Sequence, residues 1–220
     1  MPKWLVANLV NGGADVATLA DALPGKFMLM TEACSGYSLS TSWVGPRHGE
    51  WGYGYSTGHD IMWQLKNRAS GWVYWNMLLD QKGGPNLAGN FVDSPTYVLN
   101  ETAFVQNPSF FFMAHYSRFI PPGSVAISAN VSCSAHRPEF CQYVAFKTAT
   151  HIVVVLTNDE ITVGPIAGTG VGIAATPWLA KGQGSLTLGS KTLSWSISCR
   201  GRSVSGVIPW KAIQTVVLPC

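Results

Sequence analysis

Glu32 is the residue in this sequence best placed to do chemistry. It closes the apolar run Phe27-Met28-Leu29-Met30 followed by Thr31, in a region with almost no other charge. A carboxylate at the end of a buried strand can serve as a nucleophile, or as an acid or base, toward a polar substrate. The competing reading is a strand-end acid that pairs with a base or caps a helix. Cys34 stands two residues further on. No histidine sits in a triad-like context, and buried free cysteine is common, so Cys34 is read as inert. The five histidines form no i, i+4 pair and no cluster with carboxylates, and no metal site is expected.

Those side chains need strands and helices to hold them. Asp15 can cap a helix whose apolar positions Val16, Leu19, Ala20 and Leu23 recur at helical spacing, with Pro24-Gly25 as its stop. The run from Phe27 to Met30 has the continuous apolar pattern of a parallel strand buried on both faces. A loop rich in glycine, serine and aromatics follows to about Tyr55. Ser56 or Thr57 is then expected to cap a second helix through Met62, Leu65 and Ala69. Trp72 to Leu79 reads as one further buried strand, and Asp80 to Asn107 as a long loop. Asn107-Pro108 opens a third helix, since proline suits the first helical position, and Pro121-Pro122-Gly123 lies beyond its end.

After Pro121 the character changes to short alternating runs: Val125–Ala129, Tyr143–Lys147, His151–Leu156, Ser185–Leu188, Thr192–Ile197 and Ile213–Leu218. Strands at that spacing predict a β-sandwich. The glycine-rich stretch Gly164–Gly184 is expected to be a loose connection. Residues 1–120 and 121–220 are therefore read as two domains, α/β followed by all-β. The first holds only two or three strand–helix units, too few for a free-standing doubly wound sheet or for a closed (β/α)8 barrel of about 250 residues. It is expected to be part of something larger.

Composition narrows the functional classes. Of 220 residues, 47% are apolar and 11% charged, with nine tryptophans, seven tyrosines and nine phenylalanines. That balance is the opposite of a disordered chain's. The net charge of +3 contains no basic run, so no nucleic-acid partner is expected. No stretch reaches 18 apolar residues, so no helical membrane span is expected. Cys133 and Cys141 could close a loop across a β-hairpin, and Cys199 could pair with Cys220, leaving Cys34 odd. Two acceptor sequons, Asn100-Glu101-Thr102 and Asn130-Val131-Ser132, lean with the cysteines toward a secretory or lysosomal compartment.

An ordered set of short motifs goes further. Thr31-Glu32-Ala33-Cys34-Ser35-Gly36, Ser70 to Asp80, Gly83-Gly84-Pro85-Asn86, Asn90-Phe91-Val92-Asp93-Ser94-Pro95 and His115 to Ser124 together resemble glycoside hydrolase family 30. Within it they are most similar to the lysosomal glucosylceramidases. Each motif alone is weak, but the order and spacing hold across about 95 residues, with thinner echoes to the end of the chain. The resemblance implies the C-terminal units of a (β/α)8 barrel, about strands seven and eight, followed by a β-sandwich. It implies Glu32 as catalytic nucleophile, Trp75 as an aromatic packing against the sugar, and Asn90 as a polar residue at the mouth of the site. It implies a retaining mechanism on the β-glucosidic bond of glucosylceramide or a related glycolipid, with no metal and no organic cofactor. It further implies transient contact with a membrane surface and a lysosomal or secreted location.

The departures matter equally. The family's acid/base glutamate sits in an Asn-Glu-Pro type motif on the fourth strand, which this sequence lacks. Where the family has a His-Trp-Tyr-like run at the end of strand six, the chain reads Lys3-Trp4-Leu5. The chain is thus expected to be a fragment, inactive by itself, with the acid/base half and the signal peptide upstream. The alternatives are a family-30 enzyme acting on a β-glucan or xylan, a non-catalytic sugar-binding module, and a gene remnant.

Overall fold

The computed structural model describes residues 4–7, 13–36, 45–85, 91–135, 140–158, 192–199 and 201–219. They fall into two units, one running to Phe111 and the other beginning at Phe112.

The first unit is built on β1 (Trp4–Ala7), α1 (Gly13–Ala22), β2 (Phe27–Ala33), α2 (Trp51–Lys66) and β3 (Ala69–Tyr74). The strands form a parallel sheet in the order β1-β2-β3, the topology that strand–helix–strand repeats require. Val16 of α1 packs with Met28 and Ala69, flanked by Leu19 and Ala20, so three of the four apolar positions read from sequence meet the sheet. Leu23 falls beyond the helix and is exposed, and Asp15, expected as the cap, lies within the helix because α1 already begins at Gly13. Helix α2 starts earlier than expected. Glu50, not Ser56 or Thr57, is its N-cap, accepting the Gly52 N–H at 2.9 Å. Its first turn, Trp51-Gly52-Tyr53-Gly54, contains two glycines and hides the helical period. The helix ends at Asn67, and Arg68 follows with a positive φ of 72°.

The expected strand from Trp72 to Leu79 is divided. β3 stops at Tyr74, and β4 (Leu78–Asp80) joins a different sheet with β5 (Thr96–Asn100) and β6 (Ala103–Gln106). β4 pairs parallel with β5, and β5–β6 is an antiparallel hairpin, lying where a long loop was expected. Helix α3 (Pro108–Ser117) opens at the Asn107-Pro108 signal.

The second unit has β7 (Val125–Ile127), β8 (Asn130–Cys133), β9 (Cys141–Lys147), β10 (Ile152–Asn158), β11 (Leu193–Cys199), β12 (Arg202–Ile208) and β13 (Ile213–Leu218). They form two antiparallel sheets, β13-β10-β9-β7 and β12-β11-β8. One core cluster joins them: Ala145, Val154, Leu156 and Leu218 from the first sheet meet Leu193, Trp195, Ile197 and Ile208 from the second. In β11 these residues alternate with Ser194, Ser196 and Ser198, the period of two that buries one face. The other face of the first sheet is also covered. Thr215, cross-strand partner of Val155, donates its hydroxyl to the His115 carbonyl at 3.1 Å and lies 2.9 Å from His115 Nδ1. Burial lowers the His115 pKa. Strands β8 and β12 were not foreseen, and the segments Gly164–Gly184 and Ser185–Leu188 lie outside the described residues.

The Cys133–Cys141 disulfide is present, but it does not cross a hairpin. It links β8 to β9, which belong to different sheets, because the chain between them changes sheet. Cys220 lies outside the described residues.

A glycine makes the β11–β12 packing testable. Gly206 pairs with Trp195, and a Cβ there would come within 2.6 Å of the indole. The ring cannot easily yield: it is 5% exposed and its Nε1 donates to Gln214 at 2.9 Å. Gly206→Ala is expected to cost about 1–3 kcal/mol by overpacking, whereas Val207→Ala at an exposed neighbour should stay within about 0.5 kcal/mol. Urea unfolding of both variants checks this; equal midpoints would refute it.

Candidate functional site

The site is assembled at the C-terminal ends of two adjacent parallel strands, β2 and β3. Their register pairs Met30 with Trp72 and Ala33 with Tyr74, so Thr31 and Glu32 together oppose the single residue Val73. Such a bulge bends its strand and re-aims a side chain, and bulges are common at barrel rims. Glu32 is exposed. Trp75 comes immediately after β3, half-buried, and its N–H donates to the Ala33 carbonyl at 2.7 Å. The Trp75–Asn76 peptide is cis. The fold thus brings two of the expected site residues, Glu32 and Trp75, to neighbouring strand ends. Asn90 lies outside the described residues.

Beneath this rim is a buried polar network centred on Asp93, which is 1% exposed. Its Oδ1 accepts the Arg47 N–H at 3.2 Å and the Tyr97 hydroxyl, and its Oδ2 lies 3.4 Å from Asn107 Nδ2. Asn107 Nδ2 also donates to the Ser94 carbonyl at 2.8 Å, and its Oδ1 accepts the Gly49 N–H at 3.1 Å. The backbone around Asp93 reaches both strand ends. The Asp93 N–H donates to the Ser35 carbonyl at 2.8 Å, and Ser94 Oγ lies 3.2 Å from the Asn76 carbonyl. Ser35 N–H in turn donates to the Tyr74 hydroxyl oxygen at 3.1 Å. The two residues after Asn107 are helical, so this asparagine both opens α3 and anchors the network. Sequence reading assigned it only the first role. The signal for the second was the neighbouring Val-Asp-Ser-Pro segment, whose hydrogen-bond partners are far away in sequence.

Burial governs the titrations. It pushes the Asp93 carboxyl up to about 6, against hydrogen bonds from Tyr97, the Arg47 peptide and Asn107 and the nearby His48, all of which favour the charged form. Burial, then the Asp93 charge, raises the hydroxyl pKa of both Tyr74 and Tyr97. The Cys34 thiol is pushed up to about 11, first by burial and then by Glu32. A thiol held in that state is a poor nucleophile at neutral pH.

Most of the other described carboxylates of this unit are engaged elsewhere. Asp21 pairs with Arg68 at 2.8 Å on the surface. Glu50 caps α2. Asp60, its pKa raised by burial, accepts the Trp72 indole N–H at 2.6 Å. Asp80 accepts the Lys82 and Gly84 N–H groups at 2.7 and 3.0 Å, and Glu101 sits in the β5–β6 turn. Among the described residues no three His, Cys, Asp or Glu side chains are grouped so as to hold a metal ion. None of the described helices is long and apolar enough to cross a membrane.

β2 buries Met28 and Met30 but leaves Phe27 exposed and Leu29 half-buried, so it is covered less completely than its continuous apolar run suggests. An exposed acid in a bulge at the end of a parallel strand, with a half-buried tryptophan at the adjacent strand end, is barrel-rim geometry. Residues 12–120 match the family model described as the glycosyl hydrolase family 30 TIM-barrel domain. Over this segment the chain belongs to glycosyl hydrolase family 30. It is 36% identical over 143 residues to "Putative glucosylceramidase 4" of Caenorhabditis elegans, covering 64% of this chain and 27% of that protein. It is 36% identical over 132 residues to the lysosomal acid glucosylceramidase of Mus musculus, covering 59% of this chain and 25% of that one. The chain thus spans about a quarter of the length of these curated relatives. Among solved structures, SrfJ from Salmonella typhimurium superposes with a TM-score of 0.70 at 17% identity, covering 99% of this chain and 40% of that chain. This last likeness concerns the fold alone.

The raised Asp93 pKa gives the network a pH signature. The folded state holds this proton more tightly than the unfolded chain does, whose aspartates titrate at about 3.9. Asp93 therefore adds stability that is complete below about pH 4 and is lost as pH rises through about 6. Asp93→Asn removes this contribution. Across that window the unfolding free energy of the wild type is expected to fall, relative to the variant, by on the order of 2 kcal/mol. Urea denaturation of both proteins from pH 4 to 7 measures it; parallel curves would overturn the assignment.

Proposed function

We propose that this chain carries the nucleophile side of a retaining β-glucosidase site, with Glu32 as nucleophile and Trp75 as the aromatic wall for the sugar. The placement of Glu32 and Trp75 on adjacent strand ends of the family-30 segment carries this reading. A Glu32 carboxylate oxygen attacks the anomeric carbon while the glycosidic C–O bond breaks, and the departing oxygen takes a proton from a second carboxyl group. Water then attacks the same carbon and gives its proton to that second group. The bond to Glu32 breaks, and both carboxyls return to their starting states. Retaining chemistry places the two carboxyl groups about 5–5.5 Å apart. Most of the other described carboxylates of the first unit already have structural roles, and the acid/base group is assigned to barrel units outside this chain. Two carboxylates suffice for this chemistry, without metal or organic cofactor.

The substrate class proposed is a β-glucosylated lipid, glucosylceramide or a close relative, in keeping with the glucosylceramidase relatives. That places the activity in sphingolipid breakdown, with transient contact at a membrane surface. The two-sheet core of the second unit is read as a β-sandwich, with the domain boundary at residues 120/121. The location is read as lysosomal or secreted, supported by the Cys133–Cys141 disulfide. A second substrate reading has its own support: the chain is 27% identical over 111 residues to the endo-1,6-beta-D-glucanase neg1 of Aspergillus fumigatus.

In the complete barrel, Glu32→Gln should abolish covalent labelling by a fluorosugar or epoxide inhibitor with the fold unchanged by circular dichroism. Undiminished labelling would exclude Glu32 as nucleophile. The wild-type barrel should hydrolyse glucosylceramide in detergent micelles in preference to β-1,6-glucan, and the reverse order would favour the glucanase reading. The 220-residue chain alone is expected to turn over neither substrate, and measurable turnover by the purified chain would contradict the missing acid/base group.

A further inference from the structure

The β5–β6 hairpin carries a feature that the glycosidase reading leaves unused. Its turn is Asn100-Glu101-Thr102, all three exposed, and Asn100 pairs with Ala103 across the hairpin. Asn100 Oδ1 accepts the Thr102 N–H at 2.9 Å and the Thr102 hydroxyl at 3.0 Å. The oxygen end of the amide is thereby engaged by the turn, which leaves the nitrogen end directed away from it. The flanking strands expose Leu99, Phe104 and Val105, with Phe104 65% accessible. A hydrophilic group at the tip would shield apolar surface of a kind that otherwise promotes association.

A second observation comes from the other unit. The Cys133–Cys141 bond links strands of two sheets, and such bonds form in oxidising compartments, the same ones in which asparagine is glycosylated. The other acceptor, Asn130, is less suitable: it lies in β8, opposite Ser198 in the ladder, and its neighbour Val131 packs on the core.

We propose that Asn100 is an N-glycosylation site, its glycan covering exposed apolar side chains of the hairpin. The inference rests on the secretory reading given above. The donor is a lipid-linked, diphosphate-activated oligosaccharide. Asn100 Nδ2 forms the bond to the anomeric carbon as the C–O bond to the diphosphate breaks. The diphosphate carrier leaves with the electron pair, and the proton lost from Nδ2 passes to a base of the transferase. The bulky product is tolerated at an exposed turn, where it displaces no packed side chain.

The test is secretion of the chain, behind an added leader, from a eukaryotic cell, followed by peptide mapping. Mapping without reduction reports the Cys133–Cys141 bond, and enzymatic deglycosylation leaves an aspartate wherever a glycan was attached. The expected result is the disulfide together with that conversion at position 100, lost in Asn100→Gln and Thr102→Ala and retained in Thr102→Ser and Asn130→Gln. Because attachment is read from the peptide, a variant that folds poorly still reports. Disulfide without conversion at position 100 would overturn the site and leave the compartment reading standing. Neither disulfide nor glycan would overturn both.

Discussion

The burial of one carboxylate organises the candidate site. Taking Asp93 out of water is costly unless donors replace the lost hydration, and here they come from three parts of the chain: the Arg47 peptide, the Tyr97 hydroxyl and the Asn107 amide. Meeting that requirement brings the segment after β2, the β5 strand and the start of α3 to one place. Through the Asp93 N–H and the Ser94 hydroxyl, the same segment reaches Ser35 and Asn76, the continuations of the two strands that present Glu32 and Trp75. The reactive rim is therefore held from below by groups that do no chemistry themselves.

This arrangement separates the acids of the first unit by role. Asp60 and Asp93 are buried acceptors whose protonation is shifted upward by desolvation. Glu50 and Asp80 satisfy backbone N–H groups at a helix start and in a turn. Among the described acids, Glu32 alone combines exposure with a position in a bulge at the end of a parallel strand. A chain with 11% charged residues has few carboxylates to spare, and the structure gives most of those described a scaffolding task. The thiol of Cys34, two residues from Glu32, is kept protonated by burial first and by the neighbouring Glu32 second.

Much of the fold was legible in advance. The helical spacing of Val16, Leu19 and Ala20 marks the face of α1 that meets the sheet, and Asn107-Pro108 marks the start of α3. The serine–apolar alternation of β11 marks which of its faces is buried. The errors have physical causes. The first turn of α2 lacks a helical period because of its glycines, so its N-cap was sought too late. The apolar run from Trp72 to Leu79 looks like one strand, yet its two halves pair with different partners. The β5–β6 hairpin has a polar tip and exposed apolar strands, which reads as loop.

By itself, the sequence determined the parallel α/β layer, the change to β structure in the second half, and Glu32 as the acid to watch, because apolar periodicity and motif order are local properties of the chain. Only the tertiary structure decided the bulge at Thr31-Glu32, the sheet-to-sheet path of the Cys133–Cys141 bond, and the network around Asp93. Each of these depends on which strand or loop lies opposite. The partners Arg47, Asp93 and Asn107 are 46 and 14 residues apart in sequence. No local pattern encodes a hydrogen bond between side chains that meet only after the chain has folded.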